Sequence, residues 1–219
     1  MSLLVQKYYR TTTVADAKKL RRGQLCWGPG LYLPDRLTTL ELVDYNPKDE
    51  RQNRYIALPN PPDNLAFNHT PVHELGLEDD EELLVIKAKR RVMVIMTDDP
   101  PSWIPAGARL RERGYACLPL YSFHDEDAQE LRDRIKAHEY PWWIYLPGDS
   151  SLRMREGFMR LDRMQVVSQN LLQPRNVALT DEALQLASEW LRYFVTGNID
   201  DIFLEERELL MSGSSSAAT

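Results

Sequence analysis

Apolar residues in this chain come in short runs separated by polar, acidic or proline-rich stretches, a pattern that predicts several strands and few helices. Val92-Met93-Val94-Ile95-Met96 is continuous and reads as a strand buried on both faces, ended by Asp98-Asp99-Pro100-Pro101. Cys117-Leu118-Pro119-Leu120-Tyr121 and Trp142-Trp143-Ile144-Tyr145-Leu146 read as further strands, and residues 158–167 as the last one. Residues 24–27 predict a strand stopped by Gly28-Pro29-Gly30. Residues 37–45 alternate well enough for a half-buried strand, and 54–58 predict a short one inside a polar, proline-rich region.

Helical spacing is confined to a few places. Residues 13–22 read as a short helix stopped at Gly23. Residues 125–138 carry acids early and bases late, as the helix dipole favours, with Leu131 and Ile135 one turn apart. Thr180 is placed to cap a helix with Leu184, Ala187, Leu191 and Phe194 on one stripe, and 199–210 predict another. The acidic run 78–82 reads as a solvated turn or helix start, and 211–219 as a disordered tail of small residues. The sum is a mainly β chain with helices (α+β), a compact barrel or sandwich with a C-terminal helix.

Charge narrows the partners. The net charge of −6 excludes holding nucleic acid by bulk attraction, so any such contact needs a local basic groove. A groove joining Arg90, Arg91, Arg153, Arg155 and Arg160 would favour RNA, and a flat acidic face would favour a protein partner. Cys26 and Cys117 both lie in apolar runs and read as buried free thiols. With four scattered histidines there is no metal-ligand spacing, and neither metal nor cofactor is expected. No run is long enough to span a bilayer, and the N-terminus does not resemble a signal peptide, so a cytoplasmic protein is expected.

The chemistry centres on Phe158-Met159-Arg160-Leu161-Asp162-Arg163. In a strand, Arg160 and Asp162 share a face, which sets a fixed cation beside a carboxylate. Such a pair can stabilise charge on a phosphodiester and take a proton from a hydroxyl. By itself it is also what an ordinary surface ion pair looks like. Trp142, Trp143 and Tyr145 can stack bases in a single-stranded groove, or serve as core and interface.

Four segments in order resemble the PemK/MazF group, the toxin components of bacterial toxin–antitoxin modules. Arg22-Gly23-Gln24-Leu25-Cys26-Trp27 is similar to the family's opening Arg-Gly-Glu strand, with Gln24 in place of the Glu. Arg90-Arg91-Val92-Met93-Val94-Ile95-Met96-Thr97-Asp98 resembles its Arg-Pro-Val-Leu-Val-Leu segment, and Leu118-Pro119-Leu120-Tyr121-Ser122 its Val-Pro-Ile-Thr-Ser segment. From Pro141 onward the chain resembles the segment that carries Val-Leu-Leu-Asp-Gln. Residues 1–210 then form one domain, with an insertion at about 44–89 where the family has a short loop.

The resemblance implies a Src-homology-3-like β-barrel with a C-terminal helix, a homodimer, and metal-independent cleavage of single-stranded RNA. It also implies an antitoxin protein as partner. Arg160 and Asp162 fall on the PemK catalytic positions; Arg90 fits the MazF Arg position, while Tyr121 occupies the place of its Thr and Ser122, beside it, is the candidate hydroxyl. Arg91, Tyr121, Gln24 and His124 are the substrate-binding positions expected beside them. His73 lies in the insertion and reads as a surface residue. The alternative is a catalytically degenerate barrel that binds a protein or a nucleic acid.

Overall fold

The computed structural model describes residues 3, 5–32, 38–44, 46, 48, 49, 52, 54–59, 86–97, 114–124 and 129–215. These make two compact units, one from residues 1–30 and 90–219 and the other from 31–89. The larger unit is mixed α+β and dominated by an antiparallel sheet. Its strands are β1 (Tyr9–Thr11) and β2 (Gln24–Leu31), with β3 (Thr38–Asp44) and β4 (Arg54–Pro59) following in the smaller unit. Then come β5 (Ala88–Ile95), β6 (Gly114–Ser122), β7 (Trp143–Leu146), β8 (Gly157–Arg160), β9 (Gln165–Ser168) and β10 (Gln173–Leu179). The helices are α1 (Val14–Ala17), α2 (Gln129–Lys136), α3 (Asp181–Thr196) and α4 (Asp201–Ser215). Among the described residues no helix is long and apolar enough to cross a membrane.

The sheet order is β1-β10-β2-β5-β6-β8-β7, with β9 also on β6. Its path has two ends, β1 and β7, so the described strands do not close into a barrel. In the smaller unit β3 and β4 pair antiparallel, from Thr38 opposite Pro59 to Asp44 opposite Arg54. The insertion expected at 44–89 falls within this unit.

Period-2 alternation gives the sheet two apolar faces. On one, Leu25, Val94, Leu118, Ile144, Met159 and Leu161 pack with the helical residues Ala183, Leu186, Trp190 and Phe203. On the other, Cys26, Met93, Ile95, Tyr115 and Cys117 pack with Leu20, Val167 and Leu172. Both cysteines are free and buried, and burial pushes each thiol up to about 12. Thr180 caps α3 as expected, its Oγ1 accepting from the Ala183 N–H at 3.3 Å. The buried stripe of α3 is Ala183, Leu186, Ala187 and Trp190, while Phe194 is exposed. The predicted stripe is therefore rotated: Trp190, the largest side chain on the helix, takes the core-facing position.

Three predicted boundaries move. The helix expected at 13–22 is only α1, because the chain turns at Leu20, whose φ is 44°, and at Gly23, whose φ is 81°. β2 continues through Gly28-Pro29-Gly30, where its pairing with β10 has already ended at Trp27, so Pro29 breaks no β10 ladder bond there. Gly28 is needed for packing: a Cβ there would lie 2.9 Å from Met93 Sδ and 3.0 Å from Leu172 Cδ2. α4 extends beyond 210, to Ser215. The acidic run 78–82, residues 98–101, His73 and residues 125–128 lie outside the described residues.

The strand expected over 158–167 is the correction with most consequence. It is two strands, β8 and β9, joined by a 3-10 turn at Leu161–Arg163. Both pair with the same edge of β6: Leu120 faces Met159, and Cys117 faces Gln165. Two residues of β6, Leu118 and Pro119, thus stand against five of its partner, 160–164. The surplus is taken up by the turn, and Pro119, which has no N–H to donate, sits where the ladder lapses. Leu161 pins the turn, its N–H donating to the Trp142 carbonyl at 2.9 Å and its side chain fully buried. It is not the final strand either, since β10 follows.

Candidate functional site

The face of β6, β8 and β7 opposite α3 and α4 carries aromatic and charged side chains where the core face carries Leu120, Met159, Ile144 and Leu146. Tyr121 stands opposite Phe158 across β6 and β8, and Arg160 opposite Trp143 across β8 and β7. Met93 pairs with Pro119, so two residues further along each antiparallel strand Arg91 meets Tyr121. The Arg91 guanidinium carbon lies 4.1 Å from the Tyr121 ring centre. Arg160 lies 5.4 Å from the same ring and 5.5 Å from that of Trp143. Phe158 stacks on Tyr121 at 5.8 Å and contacts Trp143 at 5.0 Å. Two guanidiniums are thus held on one tyrosine, each with ring contact close enough for cation–π attraction.

Asp162 completes the cluster. Arg160 Nε donates to Asp162 Oδ1 at 3.0 Å, and Arg160 Nη2 donates to Oδ2, a bidentate pair. Arg163 Nε stands 3.7 Å from Oδ2. Both partners are part-exposed, about a quarter of each side chain being open to solvent. The bond to Asp162 holds the Arg160 guanidinium above its ordinary pKa, against the opposing effect of burial. The two residues lie side by side, but not by strand alternation: Asp162 projects from the 3-10 turn, and the chelate geometry brings it back to Arg160.

The flanks are fixed by a polar hub. Tyr145 donates its hydroxyl to Glu156 Oε1 at 2.6 Å, while Lys136 and Arg132 approach the same carboxylate at 3.2 and 3.6 Å. The hydrogen bond from Tyr145, then the Lys136 ammonium, holds the Glu156 carboxyl below the usual range despite partial burial. Tyr140 contacts both Trp142 and Trp143 and extends the aromatic surface towards α2. Trp143 Nε1 has no hydrogen-bond acceptor among the described residues. β8 can lie close to β6 only because residue 157 is glycine: a Cβ there would collide with the Tyr121 carbonyl oxygen and lie 2.9 Å from Ser122 Cα.

The other expected residues are distributed differently. Arg90 and Arg91 are neighbours on β5 and face opposite ways. Arg91 joins Tyr121, whereas Arg90 lies over Trp27 at 4.9 Å and donates from Nη2 to Gln173 Oε1 at 2.7 Å. Arg175 approaches the same indole at 5.4 Å. Ser122 is exposed and, one residue past Tyr121, turns to the opposite face. His124 is exposed beyond the end of β6, its carbonyl accepting from Arg132 Nη2 at 2.8 Å. Gln24 is buried, and its Nε2 donates to the carbonyls of Val177 (3.0 Å) and Arg175, bracing the irregularity where β10 shifts register on β2. Arg153 and Arg155 are exposed on the segment before β8, and Arg153 has a φ of 52°.

Sequence reasoning did not single out Phe158, Glu156 or Gly157. Phe158 had a usable signal, being i−2 to Arg160 on a strand. Among the described residues no group of three His, Cys, Asp or Glu is placed to hold a metal ion. In comparison with known proteins, no family model matches the chain and no curated protein matches it in sequence.

Proposed function

We propose that the Arg91–Tyr121–Arg160–Asp162 surface binds single-stranded RNA and cleaves it without a metal ion, in the manner of a PemK/MazF-like toxin. The observation that carries the reading is the position of Arg160, which touches a carboxylate on one side and the rings of Tyr121 and Trp143 on the other. Aromatic rings offer every base a stacking surface, and guanidiniums between them meet the phosphates. The donors are local, which a chain of net charge −6 requires.

The chemistry follows from an exchange of partners. An RNA phosphate competes with Asp162 for the N–H groups of Arg160. Asp162 then accepts the proton of the adjacent 2′-hydroxyl, whose oxygen attacks phosphorus. Arg160 and Arg91 stabilise the charge that develops on the phosphoryl oxygens. The 5′-oxygen leaves, taking a proton from water, and a 2′,3′-cyclic phosphate remains. The fold reading that goes with this is a divergent, open version of the Src-homology-3-like barrel. A cytoplasmic setting, a homodimer and an antitoxin partner belong to the same proposal.

One observation favours a second reading, a binding module without cleavage. Both oxygens of Asp162 already accept from Arg160, so a weak ligand leaves no free base. Incubating a long single-stranded RNA with the purified protein in EDTA separates the two. Fragments ending in 2′,3′-cyclic phosphate, absent with Asp162→Asn, support the nuclease. Intact RNA that nevertheless binds and quenches tryptophan fluorescence selects the binding module.

A further inference from the structure

At the β1 end of the sheet path, away from β8, lies a cavity of about 240 Å³ framed by β1, α1, the start of β2 and Ala178 of β10. Three arginines line it, Arg10, Arg21 and Arg22. So do the consecutive threonines Thr11, Thr12 and Thr13. We propose that this cavity is a binding site for a phosphomonoester group, independent of the Arg160 surface.

The donors outnumber the acceptors. Arg10 is anchored through Nε, which donates to the Leu179 carbonyl at 3.1 Å, and its two terminal NH2 groups have no described acceptor. Arg22 is braced by Nη2 donating to Ser188 Oγ at 2.7 Å. The Arg21 carbonyl accepts from the Gln24 N–H at 2.9 Å, while its side chain makes no hydrogen bond to a described residue and contributes an exposed charge at the rim. The one acid in the lining, Asp16, is already engaged: Thr13 Oγ1 donates to it at 2.7 Å and Lys19 Nζ lies 3.5 Å away. Those partners, Thr13 first, hold its carboxyl below the usual range, so it stays ionised and committed.

Thr12 points to an occupant. Its Oγ1 is buried and has no hydrogen-bond partner among the described residues. A buried hydroxyl left unpaired is costly, and an acceptor arriving in the cavity relieves it. The complement of several guanidinium and hydroxyl donors is a compact group with several acceptor oxygens and more than one negative charge. A phosphomonoester has three terminal oxygens and nearly two charges at neutral pH, whereas a phosphodiester or carboxylate has two terminal oxygens and one charge. The cavity has room for a phosphate carrying a small organic group.

The test is calorimetric titration of the full-length protein with inorganic phosphate at constant ionic strength, chloride being the control. Arg21→Gln and Thr12→Val are the variants, since the Arg21 side chain makes no hydrogen bond to a described residue and Thr12 loses one unpaired hydroxyl. Phosphate is expected to bind saturably, and each variant to weaken it about tenfold or more, the scale of one hydrogen bond to a charged group. Unchanged thermal unfolding of the variants shows that the fold is intact. Absence of saturable binding, or equal binding by both variants and the wild type, overturns the site. A short RNA with a 5′-phosphate, compared with the same RNA ending in a 5′-hydroxyl, assigns the source: tighter binding of the phosphorylated form identifies an RNA end, and equal binding identifies a free phosphomonoester.

Discussion

Arg160 and Asp162 are joined by a bidentate ion pair across the point where a β-strand gives way to a 3-10 turn, with Nε 3.0 Å from Oδ1. A pair this exposed contributes little to stability, about 1 kcal/mol at most. Its geometry has more to do with what it presents than with what it holds together. The carboxylate fixes the guanidinium between Tyr121 and Trp143, and the guanidinium occupies both carboxylate oxygens.

Arg160→Ala is expected to weaken single-stranded RNA binding at least tenfold while shifting the urea midpoint only slightly. Arg160→Lys keeps the charge and loses the bidentate fork, so it should recover part of the affinity and less of any cleavage. Fluorescence anisotropy with a labelled RNA measures the first, and an equal loss in both variants would show that planarity, not charge, is what matters.

Tyr121→Ala and Trp143→Ala each remove a stacking surface. Each is expected to cost about 1–3 kcal/mol of RNA affinity, the range for one base on an aromatic ring. Tyr121→Phe keeps the ring and should bind like wild type. If Tyr121→Ala binds RNA normally, the aromatic face is not the nucleic-acid surface.

Gly157→Ala is expected to destabilise the protein by about 2 kcal/mol or more, because the added methyl meets β6 backbone, which cannot rotate away as a side chain can. Chemical denaturation checks it. Gly197→Ala is the control: a methyl there meets nothing within 4 Å, and only the left-handed φ of 71° opposes it.

Gln24→Leu should cost about 1–3 kcal/mol of stability, since a buried and a part-buried carbonyl at the β10 irregularity lose their donor. RNA affinity should not change. A selective loss of binding with normal stability would return Gln24 to the substrate-binding role that its sequence position predicts.

His138 gives a pH dependence. It is buried against Trp190 at 5.7 Å, and burial, then the Arg207 charge, lowers its pKa from 6.5 to about 4. The unfolded chain therefore takes up this proton at higher pH than the folded one. Stability from this group is complete above about pH 6.5, declines between 6.5 and 4, and is level below that, a fall of about 3 kcal/mol at most. His138→Phe should flatten that part of the stability profile. An unchanged slope would mean that other groups set it.

The apolar runs at 92–96, 117–121 and 142–146 identified β5, β6 and β7 directly, because these strands are buried on at least one face and their composition shows it. The break in 158–167 was not legible. Met159-Arg160-Leu161-Asp162 alternates perfectly, and the interruption comes from Pro119 and the register of β6, which are contacts with a distant part of the chain. The pair of site residues was therefore found through a local structure only half of which exists. Arg91 was visible as a residue but not as the partner of Tyr121, since that depends on which of two adjacent arginines faces which side. Gln24 looked available because sequence does not show a register shift in β10, and the Arg10–Thr12–Arg21 cavity is assembled by the pairing of β1 with β10, which is invisible until the sheet is built.

The most direct measurement is single-turnover cleavage of one defined single-stranded RNA in EDTA, run beside its binding, for wild type, Arg160→Ala and Asp162→Asn. The expected result is a split: wild type binds and cuts, Asp162→Asn binds at least as tightly and does not cut, and Arg160→Ala loses both. Asp162→Asn cutting at the wild-type rate, or wild type neither binding nor cutting any single-stranded RNA, would contradict the proposal that this ion pair is the centre of a ribonuclease.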